Sequence, residues 1–139
     1  MEKTVGQTAS VGFQIGVRRT LPITQEQAWE LLTSSDGVKM WLGDVPDLAF
    51  SAGSTYLSEE GTSGELRIVK PHEQLRLTWQ KSGWATPSTV QIRLLPKSPE
   101  KTTISFHQEK LASAVEREEM KLRWEAVLSM IGERFAPLE

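Results

Sequence analysis

Two histidines, His72 and His107, are the side chains of this sequence best suited to proton transfer near neutral pH. His72 stands in a Pro-His-Glu turn, which is typical of a solvated loop. His107 follows Thr103 and Ser105 in register on the polar face of a predicted strand, so we expect it at the surface. The chain has no cysteine and no carboxylate cluster at ligand spacing beside either histidine. The sequence therefore predicts no metal site, no cofactor and no catalytic triad.

Three polar side chains fall at or near positions that the apolar pattern assigns to the interior, where an unpaired polar group costs about 1–3 kcal/mol. Gln108 continues the inward series of the last predicted strand, and Arg19 does so at the end of the first. Arg117 lies within about 20° of Trp124 on a helical wheel, one turn before the apolar stripe begins. It could meet an anionic head group at a pocket mouth, or its guanidinium could lie in water on a frayed first turn.

These groups are positioned by a long helix predicted from Ser113 to Ala136. Ser113 and Glu116 have capping-box spacing, and no proline interrupts the run before Pro137. One face of this helix is apolar and consists of Met120, Trp124, Val127, Leu128, Ile131 and Phe135. The opposite face is mostly glutamate. Since only the preceding β-rich segment is large enough to cover the apolar face, the two must pack against each other.

The first part of the chain predicts one strand and two short helices. Alternation begins at Val11 and continues to about Arg18, which is typical of a half-buried strand. A capping box at Thr24 and Gln27 starts a short helix, and a second one runs from Ser35 to Trp41. We expect both helices to cover the sheet rather than to form a bundle.

From about 47 to 110 the pattern predicts a meander of antiparallel strands, with turns at 71–73, 82–87 and 96–99. Alternation places ten apolar side chains on the buried face. They are Phe13, Ile15, Leu66, Ile68, Leu77, Trp79, Val90, Ile92, Ile104 and Phe106. The expected fold class is α+β: a curved antiparallel sheet wrapped around a long C-terminal helix, with two short helices after strand one. We expect one domain from 11 to 136, a flexible segment at 1–10 and a tail at 137–139, with Leu138 and Glu139 interpreted as a cloning remnant.

Size and charge restrict the partners. Sixteen basic and eighteen acidic residues give a net charge of −2, which argues against a nucleic-acid partner. No apolar run is long enough to span a membrane and the N-terminal segment does not resemble a signal peptide, so we expect a cytoplasmic protein.

Three segments resemble the START-like (SRPBCC) superfamily, in particular its heat-shock-protein-ATPase-activator-like branch. They are SGELRIVKPHEQLRLTW at 63–79, KMWLG at 39–43 and RWEAVL at 123–128. The sequence differs from that branch at Leu42, where a second tryptophan is usual, and at Arg123, where a glycine is usual. The resemblance implies a helix-grip fold and a cavity for a hydrophobic molecule between the sheet and the last helix.

The predicted ligand-binding set combines inward strand positions with the apolar helix face. It comprises Phe13, Trp41, Leu66, Ile68, Leu77, Trp79, Ile92, Phe106, Gln108, Arg117, Met120, Trp124 and Leu128. For each of them a packed core is the alternative. The resemblance implies a lipid or polyketide-like ligand; its alternatives are a co-chaperone acting in the stress response with a chaperone partner, and an enzyme of the cyclase or aromatase kind. Trp84 could be a pocket rim, a protein contact or a loop residue folded back onto the sheet.

Overall fold

The computed structural model describes residues 7–8 and 12–135, which form an antiparallel sheet and three helices. The strands are β1 (Gln7–Thr8), β2 (Gly12–Leu21), β3 (Thr55–Leu57), β4 (Ser63–Lys70), β5 (Gln74–Trp79), β6 (Ser88–Ser98) and β7 (Lys101–Leu111). The helices are α1 (Gln25–Thr33), α2 (Ser35–Trp41) and α3 (Ala114–Arg134). The sheet order is β1-β2-β7-β6-β5-β4-β3, and α3 packs on the face that β2 and β7 share. The predicted α+β helix-grip class is confirmed.

Helices α1 and α3 start at the predicted N-cap residues, and α2 has a cap that was not predicted. Thr24 and Gln27 form a complete capping box at α1, and the Ser34 side chain caps α2. At α3 the Ser113 hydroxyl accepts from the Glu116 backbone N–H, but the Glu116 carboxylate accepts from the N–H of Ala112 rather than from that of Ser113. The cap therefore holds both the helix and the end of the preceding strand.

Helix α3 buries the predicted face. Met120, Trp124, Val127, Leu128 and Ile131 are buried, whereas Phe135 is the C-cap and is only half-buried. The predicted glutamate face is exposed. The 21 residues of α3 span about 31 Å at 1.5 Å per residue, which is long enough to cross the sheet.

Two predictions about the strands are wrong because the ladder contains irregularities. The predicted turn at 96–99 is mostly strand: β6 continues through Pro96, where a register shift accommodates the missing N–H. Ile68 does not face the core. A bulge after Leu66 pairs Ile68 with Arg76, on the outer face, and brings Val69 opposite the buried Leu75.

The segment predicted to be flexible contains a short strand, since residues 7–8 pair with Phe13 and Gly12. The described residues do not include the remainder of that segment; nor do they include Val11, Ala136 or the predicted tail. The predicted first strand extends further than expected, to Leu21.

Candidate functional site

Three aromatic side chains meet at the seam between the sheet and α3. The Trp124 ring stacks on Phe106 with centroids 4.7 Å apart, and its edge contacts Trp79 at 5.3 Å. All three side chains are fully buried. They come from α3, β7 and β5, so this aromatic cluster joins the helix to the middle of the sheet.

One end of the cluster carries a relay of paired polar groups. The Trp124 indole N–H donates to Gln108 Oε1 at 2.8 Å, and Gln108 Nε2 donates to Ser88 Oγ at 2.8 Å. The Ser88 hydroxyl in turn donates to the Trp79 carbonyl oxygen at 2.7 Å. Gln108 is fully buried, as its inward position predicts. Because its amide is occupied by these two bonds, Gln108 holds the helix on the sheet.

The other end of the cluster carries a cation that the sequence analysis did not select as a site residue. The Arg123 guanidinium carbon lies 4.9 Å from the Trp79 ring centre and 5.6 Å from that of Trp124, within the range of cation–π attraction. Arg123 Nη2 donates to the carbonyl oxygen of Trp41 at 3.0 Å. The side chain therefore lies between α3, the end of α2 and the end of β5.

Two buried N–H donors at this end have no acceptor among the described residues: Trp79 Nε1 and Arg123 Nε. The two groups belong to side chains in direct contact. A buried donor without a partner costs about 1–3 kcal/mol, so a folded protein rarely keeps one without a reason.

Charges around Arg123 partly offset its burial. Burial lowers the pKa of the Arg123 guanidinium, while the carboxylates of Glu60 and Glu119 and the phenol of Tyr56 act in the opposite direction. Burial has the opposite effect on the acidic phenol of Tyr56: it raises the pKa, and the nearby Arg123 charge opposes that change. The Tyr56 hydroxyl donates to the Thr78 carbonyl oxygen. This bond needs the close approach of β3, β4 and β5, because any Cβ at Gly64 would collide with the same carbonyl oxygen.

The structure brings most of the predicted ligand-binding residues together in one core. Eight of them are buried in one hydrophobic core: Trp41, Leu66, Leu77, Trp79, Ile92, Phe106, Met120 and Trp124. Gln108 is also buried and is hydrogen-bonded to Trp124. Leu128 is buried and Phe13 is half-buried at the margins of the same core. Arg117 is half-buried, and its Nε donates to the Gln14 carbonyl oxygen at 2.8 Å, which ties the start of α3 to β2. Ile68 lies apart, on the outer face.

Two surface clefts lie away from the aromatic cluster. One of about 480 Å³ opens between β2 and α3, with Arg18, Arg19 and Lys121 around Val17 and Leu128. Another of about 360 Å³ lies between α2 and the loop at 44–50. Arg19 occupies the predicted inward register opposite Ile104, but it is exposed and its guanidinium lies over Gly132. A cavity beside Trp124 stays a prediction.

The remaining predicted site residues lie outside this cluster. His72 is exposed in its turn, with its ring edge against Trp29, and His107 is half-buried and hydrogen-bonded to Gln14. Trp84 is half-buried against the core, so it folds back onto the sheet. Among the described residues no group of three or more His, Asp or Glu side chains could hold a metal ion. In the same part of the chain, no helix is sufficiently long and apolar to cross a membrane.

Sequence reasoning missed Arg123 and Tyr56. For Arg123 a signal existed, since it replaces the glycine usual in the resembling branch and lies about 40° from Val127 on the helical wheel, at the flank of the apolar stripe. The sequence contains no such signal for Tyr56, because Gly53 interrupts the alternation just before it and β3 is only three residues long.

Comparison with known proteins identifies one matching family and a set of solved structures with a similar fold. The family described as "Activator of Hsp90 ATPase homolog 1-like protein" matches residues 22–136. A search of curated proteins found no match.

Solved structures share the fold at low sequence identity. CalU16 from Micromonospora echinospora superimposes with a TM-score of 0.77 at 19% identity, over 89% of this chain and 76% of that one. Protein MLL2253 from Mesorhizobium loti gives 0.74 at 21% identity, over 86% and 94%. PFC0360w, an HSP90 activator from Plasmodium falciparum, gives 0.63 at 12% identity, over 73% and 75%.

Proposed function

Because the chain belongs to the family of Activator of Hsp90 ATPase homolog 1-like proteins, a START-like branch, we propose that it binds a small hydrophobic molecule at the seam between its sheet and α3. The binding residues are those of the aromatic cluster and its surroundings, and the domain that carries them extends from 11 to 136.

A contrast among three fully buried tryptophans carries this proposal. The Trp41 indole donates to the Leu32 carbonyl oxygen and the Trp124 indole donates to Gln108, both at 2.8 Å. The Trp79 indole has no acceptor in the described part of the chain. A molecule with an apolar body and an acceptor atom would supply the missing partner while it keeps water out. Since the Trp124 indole N–H already has its acceptor in Gln108, the molecule binds beside Trp79, on the side that Arg123 covers.

An NMR titration tests the proposal, with the indole N–H resonances of ¹⁵N-labelled protein as the readout. Fatty acids, sterols, flavonoids and polyketide-like aromatic compounds are added in turn. We expect a ligand to shift the Trp79 indole resonance, because its N–H gains an acceptor, and to leave that of Trp41 nearly unchanged. The proposal is abandoned if no compound class moves the Trp79 or Trp124 resonance.

A second candidate is a protein-interaction domain, which the outer face of α3 favours. Val115 and Leu122 are 77% and 61% exposed, and their spacing with Met130 places all three on one side of the helix. On this proposal the protein is cytoplasmic, acts in the stress response and contacts a chaperone through that face.

The test for this candidate is the ATPase rate of a purified Hsp90-type chaperone with and without the protein. Stimulation that is lost on Leu122→Glu, but kept on Leu57→Glu at an exposed position of β3, would support the interaction. A chaperone whose rate is unaffected by the unmodified protein would rule it out.

A further inference from the structure

We propose that Arg123 is an anion-recognition residue: the hydrophobic molecule bound at the seam carries a negatively charged group, and the Arg123 guanidinium binds that group next to Trp79. This inference rests on the proposed function and narrows the ligand to hydrophobic carboxylates, phenolates and related anions.

The placement of Arg123 is unlike that of a solvated surface arginine. Its guanidinium lies against the rings of Trp79 and Trp124, and its Nε is buried. One of its donors is used by the Trp41 carbonyl oxygen, which fixes the orientation of the planar group. The Nε–H has no acceptor among residues 7–8 and 12–135. A guanidinium held in this way keeps donor capacity that the protein itself does not use.

The charge of Arg123 is also left without a close counterion. In the described part of the chain no carboxylate lies within ion-pair distance of it, and the nearby Glu119 is paired with Lys81. Burial lowers the pKa of the Arg123 guanidinium, because removal from water disfavours its charged form. A ligand anion would neutralise this cation where water screens poorly, so a charge-assisted hydrogen bond is stronger there than at the surface.

Besides a negative charge for Arg123, the ligand must provide a hydrogen-bond acceptor for the adjacent Trp79. Its unpaired indole N–H is fully buried and belongs to the ring that the guanidinium covers. Two donors on contacting side chains, one charged and one neutral, suit an acceptor group attached to an apolar body, because the aromatic faces around them are hydrophobic. A free inorganic anion would satisfy Arg123 but has no apolar body suited to these hydrophobic surroundings.

A matched pair of fluorescent probes tests this inference. 8-Anilino-1-naphthalenesulfonate and N-phenyl-1-naphthylamine share one apolar skeleton, and only the first carries a negative charge. We expect the protein to bind the anionic probe about tenfold more tightly, and Arg123→Met to remove that preference while the affinity for the neutral probe stays within about twofold. Arg123→Lys keeps the charge but not the planar donor set, so an intermediate preference is expected.

Lys121→Met is the matched control, because it removes a neighbouring cation that lines the cleft between β2 and α3. If Lys121→Met rather than Arg123→Met weakens the anionic probe, the anion lies in that cleft and the inference is overturned. Equal affinity for both probes in the unmodified protein overturns the inference but leaves the proposed function standing. If neither probe shifts the Trp79 indole resonance, these probes give the proposed function no support and the assignment of Arg123 is withdrawn.

Discussion

The two ends of the aromatic cluster differ in how their polar groups are satisfied. At the paired end, which consists of Gln108, Ser88 and the Trp124 indole, each hydrogen bond leads to the next. At the unpaired end, which consists of Arg123 and the Trp79 indole, one donor on each side chain has no acceptor among the described residues. Both ends lie at the seam between the sheet and α3. The rings of Trp79 and Trp124, with centroids 5.3 Å apart, connect them.

This difference separates a structural role from a binding role. Gln108 is polar and faces inward, which predicts ligand contact, yet both its amide oxygen and its amide nitrogen are hydrogen-bonded within the protein. Arg123 interrupts the family pattern and keeps an unused donor. Buried polarity alone therefore does not identify a site, and the proposed binding role rests on buried polar groups that also lack a partner.

The largest effect is expected at the paired end. Gln108→Leu keeps the side-chain volume but leaves the Trp124 indole N–H buried without an acceptor, so we expect a loss of about 2–4 kcal/mol in the free energy of unfolding. Urea denaturation measures it. Gln91→Leu, on the outer face opposite His107, is the control and should change the same quantity by less than about 0.5 kcal/mol. Equal losses in both variants would contradict the assigned role of the relay.

A pair of tryptophan variants compares the two ends directly. Trp124→Phe deletes a paired donor and leaves Gln108 Oε1 unsatisfied, whereas Trp79→Phe deletes a donor that lacks a partner. Both lose a similar apolar area, so we expect Trp124→Phe to be more destabilising by about 1–3 kcal/mol. Thermal and urea unfolding of the two variants provide the measurement. A larger loss at Trp79 would mean that its indole is satisfied in solution.

Tyr56 provides a pH-dependent test of burial at the unpaired end. Since burial raises its pKa in the folded state, the unfolded chain loses the phenolic proton first as the pH rises above about 10. Stability should therefore be fully present below that pH and should fall above it, by up to about 1.4 kcal/mol per pH unit.

Tyr56 is the only tyrosine of the chain, so tyrosinate absorbance follows its ionisation without interference. Tyr56→Phe should lack this part of the alkaline loss. Ionisation of the folded protein near the ordinary tyrosine pKa would show that the phenol is accessible to water.

The smallest effect on stability is expected for Arg123→Met. The variant keeps an apolar stem against Trp79 but removes a poorly compensated charge together with the bond to the Trp41 carbonyl oxygen, so we expect a change of less than about 1 kcal/mol. Guanidinium denaturation checks it. A loss of several kcal/mol would make Arg123 a structural residue and would remove the contrast between the two ends.

Much of the fold follows from the hydrophobic periodicity of the sequence and from its helix-capping and turn residues. The 3.6-residue pattern of α3 and the period-two pattern of β5 and β6 place Trp124, Trp79 and Ile92 in one core without further information. The wrong predictions are local: a bulge turns Ile68 outward, and Pro96, which predicts a turn, lies inside β6 because a register shift accommodates it. Bulges depend on pairing between strands, which a single strand's pattern does not encode.

The site was less predictable than the fold. Alternation identified Gln108 and Trp79 as inward, but whether either has a partner depends on Ser88 and Trp124, which come from other elements. Arg123 lies on the flank of the helix stripe, where an arginine usually reaches water. The ends of α2 and β5 close over it, and that arrangement appears once all three elements are assembled.

The position of β2 has a consequence for how the chain folds. Strands β4 to β7 follow one another as neighbours in the sheet, but β2 pairs with β7, and the hydrogen bond between Gln14 and His107 joins residues 93 positions apart. During synthesis at about 5–20 residues per second, β2 must wait several seconds for its partner to emerge from the ribosome. Until then the apolar face of strands β4 to β7 is uncovered. The nascent chain is therefore most exposed to aggregation in the interval before β2 pairs with β7 and α3 packs on that face.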